Sequence, residues 1–189
     1  MRGMRTFTEI ILIGPTKAGK STLAALLSER LRIPRCSLDD ARWAYMREIG
    51  YDKELDTLFR ELGGTLARVL YWQLFSPYAV ERFLSEHRNC VLDFGAGHTV
   101  YDSTEMLERV ERALMPYPNV FLILPSPDPQ ESIRILNERL AAEGVRYNFD
   151  FSAHFVKHSS NYRLAKAIVY TEDKTPEQTA DEILALCSS

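Results

Sequence analysis

The sequence predicts an α/β protein of three layers, a five-stranded parallel sheet with helices on both faces. Two observations carry the prediction. Short apolar, β-branched runs recur along the 189 residues: Ile10-Ile11-Leu12-Ile13, Ile33 to Leu38, Cys90-Val91-Leu92-Asp93-Phe94, Asn119-Val120-Phe121-Leu122-Ile123-Leu124 and Ala167-Ile168-Val169-Tyr170-Thr171. Stretches of helical spacing separate them, and strands that alternate with helices form parallel sheets covered on both sides. The composition, 46% hydrophobic and 26% charged, suits a single domain, 1–189, that buries a core.

The first run is a strand, and the most specific stretch of the chain comes directly after it. Gly14-Pro15-Thr16-Lys17-Ala18-Gly19-Lys20-Ser21 fits G-x-x-x-x-G-K-[ST], the phosphate-binding P-loop. Ser21 and Thr22 then open a helix with Leu23, Leu27 and Leu31 on one face. Strand, glycine-rich loop and helix stand in the order the motif requires, which predicts a P-loop NTPase fold. Gly14 and Gly19 permit backbone angles closed to other residues. The loop N–H groups then point inward, and the helix start adds unpaired donors and the positive end of its dipole. Lys20 is expected on the β- and γ-phosphates of ATP, and the Ser21 hydroxyl on Mg²⁺.

The weaker second strand, 33–38, leads into Asp39 and Asp40. Two roles are open for this pair: to act on the metal water or the acceptor hydroxyl, or to cap a helix starting at Ala41. Helical spacing continues over 51–88, an insertion broken at Gly63-Gly64 and restarted at Pro77. The third strand ends in Asp93 before Gly95-Ala96-Gly97. A carboxylate there suits a Walker-B-like metal ligand, or a turn cap. The small residues suit close approach to a ligand, or simply a turn. His98 is read as a substrate contact or a hydrogen-bonded turn histidine. Asp102 with Glu105 looks like a capping box.

The fourth strand is the clearest, and Pro125, Pro127 and Pro129 end it. A helix from Asp128 to Leu140 carries Arg134 and Arg139, with Glu138 placed to pair with Arg134. The polar segment 141–150 holds Gly144 and Arg146 and is a candidate lid. Arg139 and Arg146 are the arginines expected to stabilise a transferring phosphoryl group. A less regular helical stretch, 151–164, precedes the fifth strand. Thr175-Pro176 with Gln178 then announces the last helix.

A net charge of −3 argues against a general nucleic-acid binder. Cys36, Cys90 and Cys187 are too scattered for a disulfide framework or a zinc site, and the first two are expected to be buried thiols. No run approaches the ~18 apolar residues of a membrane span. The basic Met1-Arg2-Gly3-Met4-Arg5 start does not read as a signal peptide, so a cytoplasmic setting is expected.

On these motifs the chain resembles the shikimate-kinase-like branch of the P-loop small-molecule kinases, along nearly its whole length. The resemblance implies transfer of the γ-phosphoryl of ATP to a small-molecule acceptor, with Mg²⁺. Ser37-Leu38-Asp39 resembles the family's acidic motif, in which the Asp orients the acceptor hydroxyl. Val91 to Gly97 resembles the strand that ends in a substrate-binding triple-glycine turn. Phe59-Arg60-Glu61 echoes a substrate-binding Phe-Arg, and His158 stands near the place of an arginine that holds the substrate carboxylate. The segment after Thr171 corresponds to one bordering adenine. Departures point to an altered acceptor site. Ala96 replaces the middle glycine, Asp93 is more typical of nucleoside monophosphate kinases, the 51–77 segment is long, and the lid lacks the family's Arg-Pro-Leu. The alternatives are a genuine shikimate kinase, a nucleotide kinase, or an ATPase or ATP-binding module without an acceptor.

Overall fold

A computed structural model describes residues 9–187. The basic stretch at Met1 to Arg5 lies outside them. The strands are β1 (Ile10–Ile13), β2 (Arg35–Ser37), β3 (Val91–Asp93), β4 (Asn119–Leu124) and β5 (Ala167–Tyr170). They form one parallel sheet in the order β2-β3-β1-β4-β5. Every residue of the inner strands β1, β3 and β4 is buried, as a sheet covered on both faces requires. β2 is an edge strand, and Cys36 is therefore half-buried rather than buried as expected; Cys90 is buried.

The helices are α1 (Lys20–Leu31), α2 (Leu38–Glu48), α3 (Lys53–Gln73), α4 (Ser76–Glu86), α5 (Thr104–Leu114), α6 (Pro129–Ala142), α7 (Phe151–Lys157), α8 (Ser159–Leu164) and α9 (Pro176–Leu186), with a single 3₁₀ turn at Ala96–His98. α1 packs against α9, and α4 packs against α2 and α5. The result is the three-layer α/β/α arrangement. The 51–88 insertion forms α3 and α4, and α3 is interrupted at Gly64 (φ 69°, ψ −161°).

Several helix starts differ from the expectation, each for a local reason. α2 begins at Leu38, because the Ser37 side chain accepts from the Asp40 N–H. Neither Asp39 nor Asp40 is the N-cap. Asp39 lies in the first turn, where the helix dipole favours a carboxylate. α5 is capped by Ser103, not Asp102. Asp102 instead faces His158, whose Nε2 lies 3.3 Å from its Oδ1. The 151–164 stretch is two helices divided at His158, whose ring accepts from the Ser160 N–H. The last helix carries the full capping box of Thr175 and Gln178.

Register brings the chemistry to one edge. Ser37, Asp93 and Leu12 lie side by side at the carboxyl ends of β2, β3 and β1. The loop after β1, the first turn of α2 and the Gly95–His98 turn all leave from this edge, where ligands of open α/β sheets bind.

Candidate phosphoryl-transfer site

The P-loop wraps as its sequence demands. Gly14 has φ 128°, and a Cβ there would stand 2.6 Å from the Ile123 carbonyl oxygen on β4. Gly19 closes the loop in a left-handed conformation and precedes α1 with no side chain capping the helix. No acid lies in the first turn of α1 and no side chain caps it, which leaves its first N–H groups without a partner from their own helix. Thr16, Lys17, Gly19, Lys20, Ser21 and Thr22 line a cavity of about 610 Å³. Pro15 and Ala18 shape the turn, with the Ala18 N–H donating to the Pro15 carbonyl.

Lys20 is buried, and its ammonium donates to the Gly14 and Pro15 carbonyls at 2.9 and 2.7 Å. Burial lowers its pKa to about 8, opposed by the charges of Asp93 and Asp39. Asp93 is buried on the same cavity and accepts a hydrogen bond from Arg35 at 2.9 Å. Ser21, Asp93 and Asp39 bring a hydroxyl and two carboxylates to this cavity, the hard oxygen donors that suit Mg²⁺. Among the described residues there is no cluster of three or more His, Cys, Asp or Glu able to hold a metal alone.

α6 closes the far side of the loop. Arg139 donates to the Lys17 carbonyl at 2.9 Å and lines the cavity. Glu143, at the start of the candidate lid, pairs with the Lys17 ammonium. Arg146 is exposed and lines neither this cavity nor the next. Arg134 is taken by Glu131 and Glu138 along its own helix.

A second cavity, about 480 Å³, opens beside the first. Thr16, Asp39 and Ala96 line both. Asp39 is held from two sides: Arg42 lies 3.0 Å from its Oδ1, and His98 Nε2 lies 3.7 Å from the same atom. Gly95 permits the approach, because a Cβ there would stand 2.1 Å from Asp39 Oδ1. Ala96 and Gly97 line the second cavity; Gly95 lies behind Asp39 and lines neither. Arg42 rests on the rings of Trp43 and Trp72, at 4.4 and 4.8 Å. Arg68 also lines this cavity, stacked on Trp72 and locked by Asp56 through bonds of 2.8 to 3.0 Å. Phe151, Phe155 and Val69 form an apolar wall, and Tyr147 brings in the 141–150 segment.

Besides Arg146, two residues marked from the sequence lie elsewhere. Arg60 is exposed on α3 and lines neither cavity. His158 caps α8 and likewise lines neither. Arg68, with Arg60 a candidate from the long helical segment to hold a carboxylate, does line the second cavity; no motif in the sequence marks Arg42, Trp72 or the α7 phenylalanines as lining a site. For Arg42 alone there is a signal, helical spacing: it stands three residues after Asp39, one turn along the same face.

Solved structures share this fold along almost the whole chain. Shikimate kinase from Acinetobacter baumannii, in complex with shikimate, superposes with a TM-score of 0.66 at 17% identity, over 96% of this chain and 93% of that one. A gluconokinase from Sinorhizobium meliloti 1021 gives 0.53 at 11% identity, over 97% and 94%. The YorR protein of Bacillus subtilis, in complex with phosphorylated GDP, gives 0.54 at 18% identity, over 96% and 96%. No protein-family model and no curated protein matches the chain. The three-layer fold is that of the shikimate-kinase-like P-loop kinases. No described helix is long and apolar enough to cross a membrane.

Proposed function

We propose that the protein is an ATP-dependent phosphotransferase that moves the γ-phosphoryl group to a hydroxyl of a small-molecule acceptor. One observation carries the reading: Asp39, Thr16 and Ala96 line both the P-loop cavity and its neighbour. A phosphoryl group held by the loop and an acceptor held next door would meet at the Asp39 carboxylate. An ATPase without an acceptor has no use for a second, half-apolar cavity at that point.

In this reading the loop N–H groups and Lys20 bind the phosphates, and Arg139 stabilises charge on the transferring group. Mg²⁺ would be held by Ser21 and Asp93, and when bound it neutralises charge on the phosphate oxygens. Asp39 orients the acceptor hydroxyl and takes its proton as the oxygen attacks phosphorus. Arg42 fixes the carboxylate in place. The segment 141–150 acts as a lid, since Glu143 touches the loop and Tyr147 the second cavity. Its amide exchange should slow when a non-hydrolysable ATP analogue and acceptor bind, and unchanged exchange rejects the lid.

The acceptor is a small hydroxylated molecule other than shikimate. A carboxylate is best held by an uncommitted, bidentate guanidinium. Arg68 and Arg42 are already engaged by Asp56 and Asp39, and neither Arg60 nor His158 lines the cavity. The test is ADP release over a panel of sugars, polyols, nucleosides and shikimate, with product identified by mass. Acceptor-stimulated release is expected, and turnover indifferent to every acceptor overturns the kinase reading. A shikimate kcat/KM of about 10⁴ M⁻¹s⁻¹ or more restores a plain shikimate kinase.

A further inference from the structure

His98 has an unusual setting for a turn histidine. It is 2% exposed, and its Nε2 is buried without a hydrogen-bond partner. Its other nitrogen, Nδ1, lies 2.8 Å from Ser76 Oγ. Ser76 Oγ lies 2.9 Å from the Tyr101 hydroxyl, and that hydroxyl donates to the His98 carbonyl at 2.9 Å. These contacts close a ring, and proton counting assigns it. Tyr101 gives its one hydroxyl proton to the carbonyl. Ser76 then donates to the Tyr101 oxygen and accepts from Nδ1–H. Burial and the Arg42 charge push the imidazole pKa down to about 3, so the ring is neutral. Nε2 is a bare acceptor.

Arg42 Nε is the matching case among donors, since it too is buried without a partner. Both residues line the second cavity, and both flank Asp39 Oδ1. Arg42 reaches it through another guanidinium nitrogen at 3.0 Å, and His98 Nε2 stands 3.7 Å from it. Unpaired buried polar atoms cost stability and mark places where a ligand can complete the bonding. One bare acceptor and one bare donor select a group that does both. A hydroxyl does so. A carboxylate has no proton for Nε2, and an ammonium has no lone pair for Arg42.

The rest of the cavity offers no free charge. Its charged lining residues are Asp39, Arg42 and Arg68, and ion pairs join Arg42 to Asp39 and Arg68 to Asp56. A charged ligand would have to compete with a partner already in place. The cavity does offer apolar surface. Ala96, Phe151 and Phe155 belong to an apolar cluster separate from the core of the sheet, with Val69 packed against it, and all four line the cavity. The Phe151 and Phe155 rings are stacked, 5.8 Å between centroids. A flat apolar group laid against them leaves water.

We propose that the second cavity takes an uncharged, amphipathic acceptor with two neighbouring hydroxyls and an apolar or aromatic body. One hydroxyl meets Asp39, the other donates to His98 Nε2, and the body lies against Phe151 and Phe155. His98 thereby determines specificity, because it distinguishes a diol from a single alcohol. The inference rests on the reading of the second cavity as the acceptor site.

The test is direct binding, followed by NMR shifts of the whole protein without ATP. The probes are phenylethylene glycol, phenethyl alcohol (the same body, one hydroxyl), glycerol (no apolar body) and mandelate (a carboxylate in place of one hydroxyl arm). Phenylethylene glycol should bind at millimolar concentration and shift residues of the second cavity. It should bind about fivefold tighter than phenethyl alcohol, the worth of one hydrogen bond. It should bind on the order of tenfold or more tighter than glycerol, which buries no ring. His98→Phe should bring the glycol down to the level of phenethyl alcohol, while His98→Gln, whose amide oxygen accepts, should keep part of the preference. In unsubstituted protein the ¹⁵N signals should show protonated Nδ1 and bare Nε2, and the glycol should move the Nε2 signal. That last measurement decides the matter even if the Phe variant misfolds. Equal binding of glycol and phenethyl alcohol, tighter binding of mandelate, shifts outside the cavity, a preference that survives in folded His98→Phe, or an unmoved or protonated Nε2 overturns the inference. None of these outcomes depends on ADP release. Failure here and failure of the kinase reading are therefore read separately.

Discussion

The two cavities that meet at Asp39 are built in opposite ways. The first is centred on one contiguous run: Thr16, Lys17 and Gly19 to Thr22 line it, and the Lys20 ammonium is held by the Gly14 and Pro15 carbonyls. The second is mostly side chain, gathered from α2, α3, α4, the 96–98 turn, α6 and α7. A backbone cradle depends on a few conformations and tolerates change elsewhere. A side-chain cavity changes its chemistry with each substitution. The difference teaches why the loop that lines the first cavity is recognisable in the sequence while the lining of the second is not.

The largest expected effect breaks the backbone half. Lys20→Ala removes the buried ammonium that the proposed reading sets on the phosphates, and we expect transfer to fall on the order of 10³-fold with the fold retained. Undiminished turnover in a folded variant would contradict the P-loop assignment.

Two glycines sharpen the contrast. Gly14→Ala strains a left-handed backbone and drives Cβ into the Ile123 carbonyl, so it should cost on the order of 1–3 kcal/mol of stability. In Gly95→Ala the atoms nearest the new Cβ all belong to the Asp39 side chain, which is half-exposed and can move. Displacing that carboxylate by about 1 Å should cost on the order of 10²-fold in kcat with little change in Tm. Equal effects of both substitutions on Tm would erase the distinction between the halves.

Asp93→Asn probes the metal side. The Mg²⁺ concentration for half-maximal activity should rise about tenfold. A metal titration identical to that of the unsubstituted protein removes Asp93 from the site.

The smallest effect is a proton. Lys20 has its pKa lowered from 10.5 to about 8, so between those values the folded protein binds fewer protons than the unfolded chain, and its contribution to stability rises with pH. Phosphates beside the ammonium raise its pKa again. Binding of ATP at about pH 9 should therefore take up close to one proton, and at about pH 6.5 none from this group. Calorimetry in buffers of different ionisation heat reads the uptake. Equal proton counts at both pH values would mean that Lys20 stays charged in the free protein.

What the sequence determined by itself is local. Alternating apolar runs and helical spacing specify the sheet and its covering, because burial on both faces requires continuous β-branched strands. The P-loop is legible because glycine spacing, lysine and helix start act through neighbouring backbone. The Thr175-Gln178 box is legible for the same reason, since its partners are three residues apart. Competition between nearby caps is harder to read: Ser37 and Ser103 won over the adjacent acids, and that freed Asp39 for the cavity. Tertiary structure alone decided the rest. It set His158 as the cap of α8, brought Arg68 from α3 and the α7 phenylalanines to one wall, and closed the ring of Ser76, His98 and Tyr101 across 25 residues of chain. These groups are distant in sequence and obey no period. Their meeting depends on how the α3–α4 insertion lies over the carboxyl edge of the sheet, and only the packing of the whole chain specifies that.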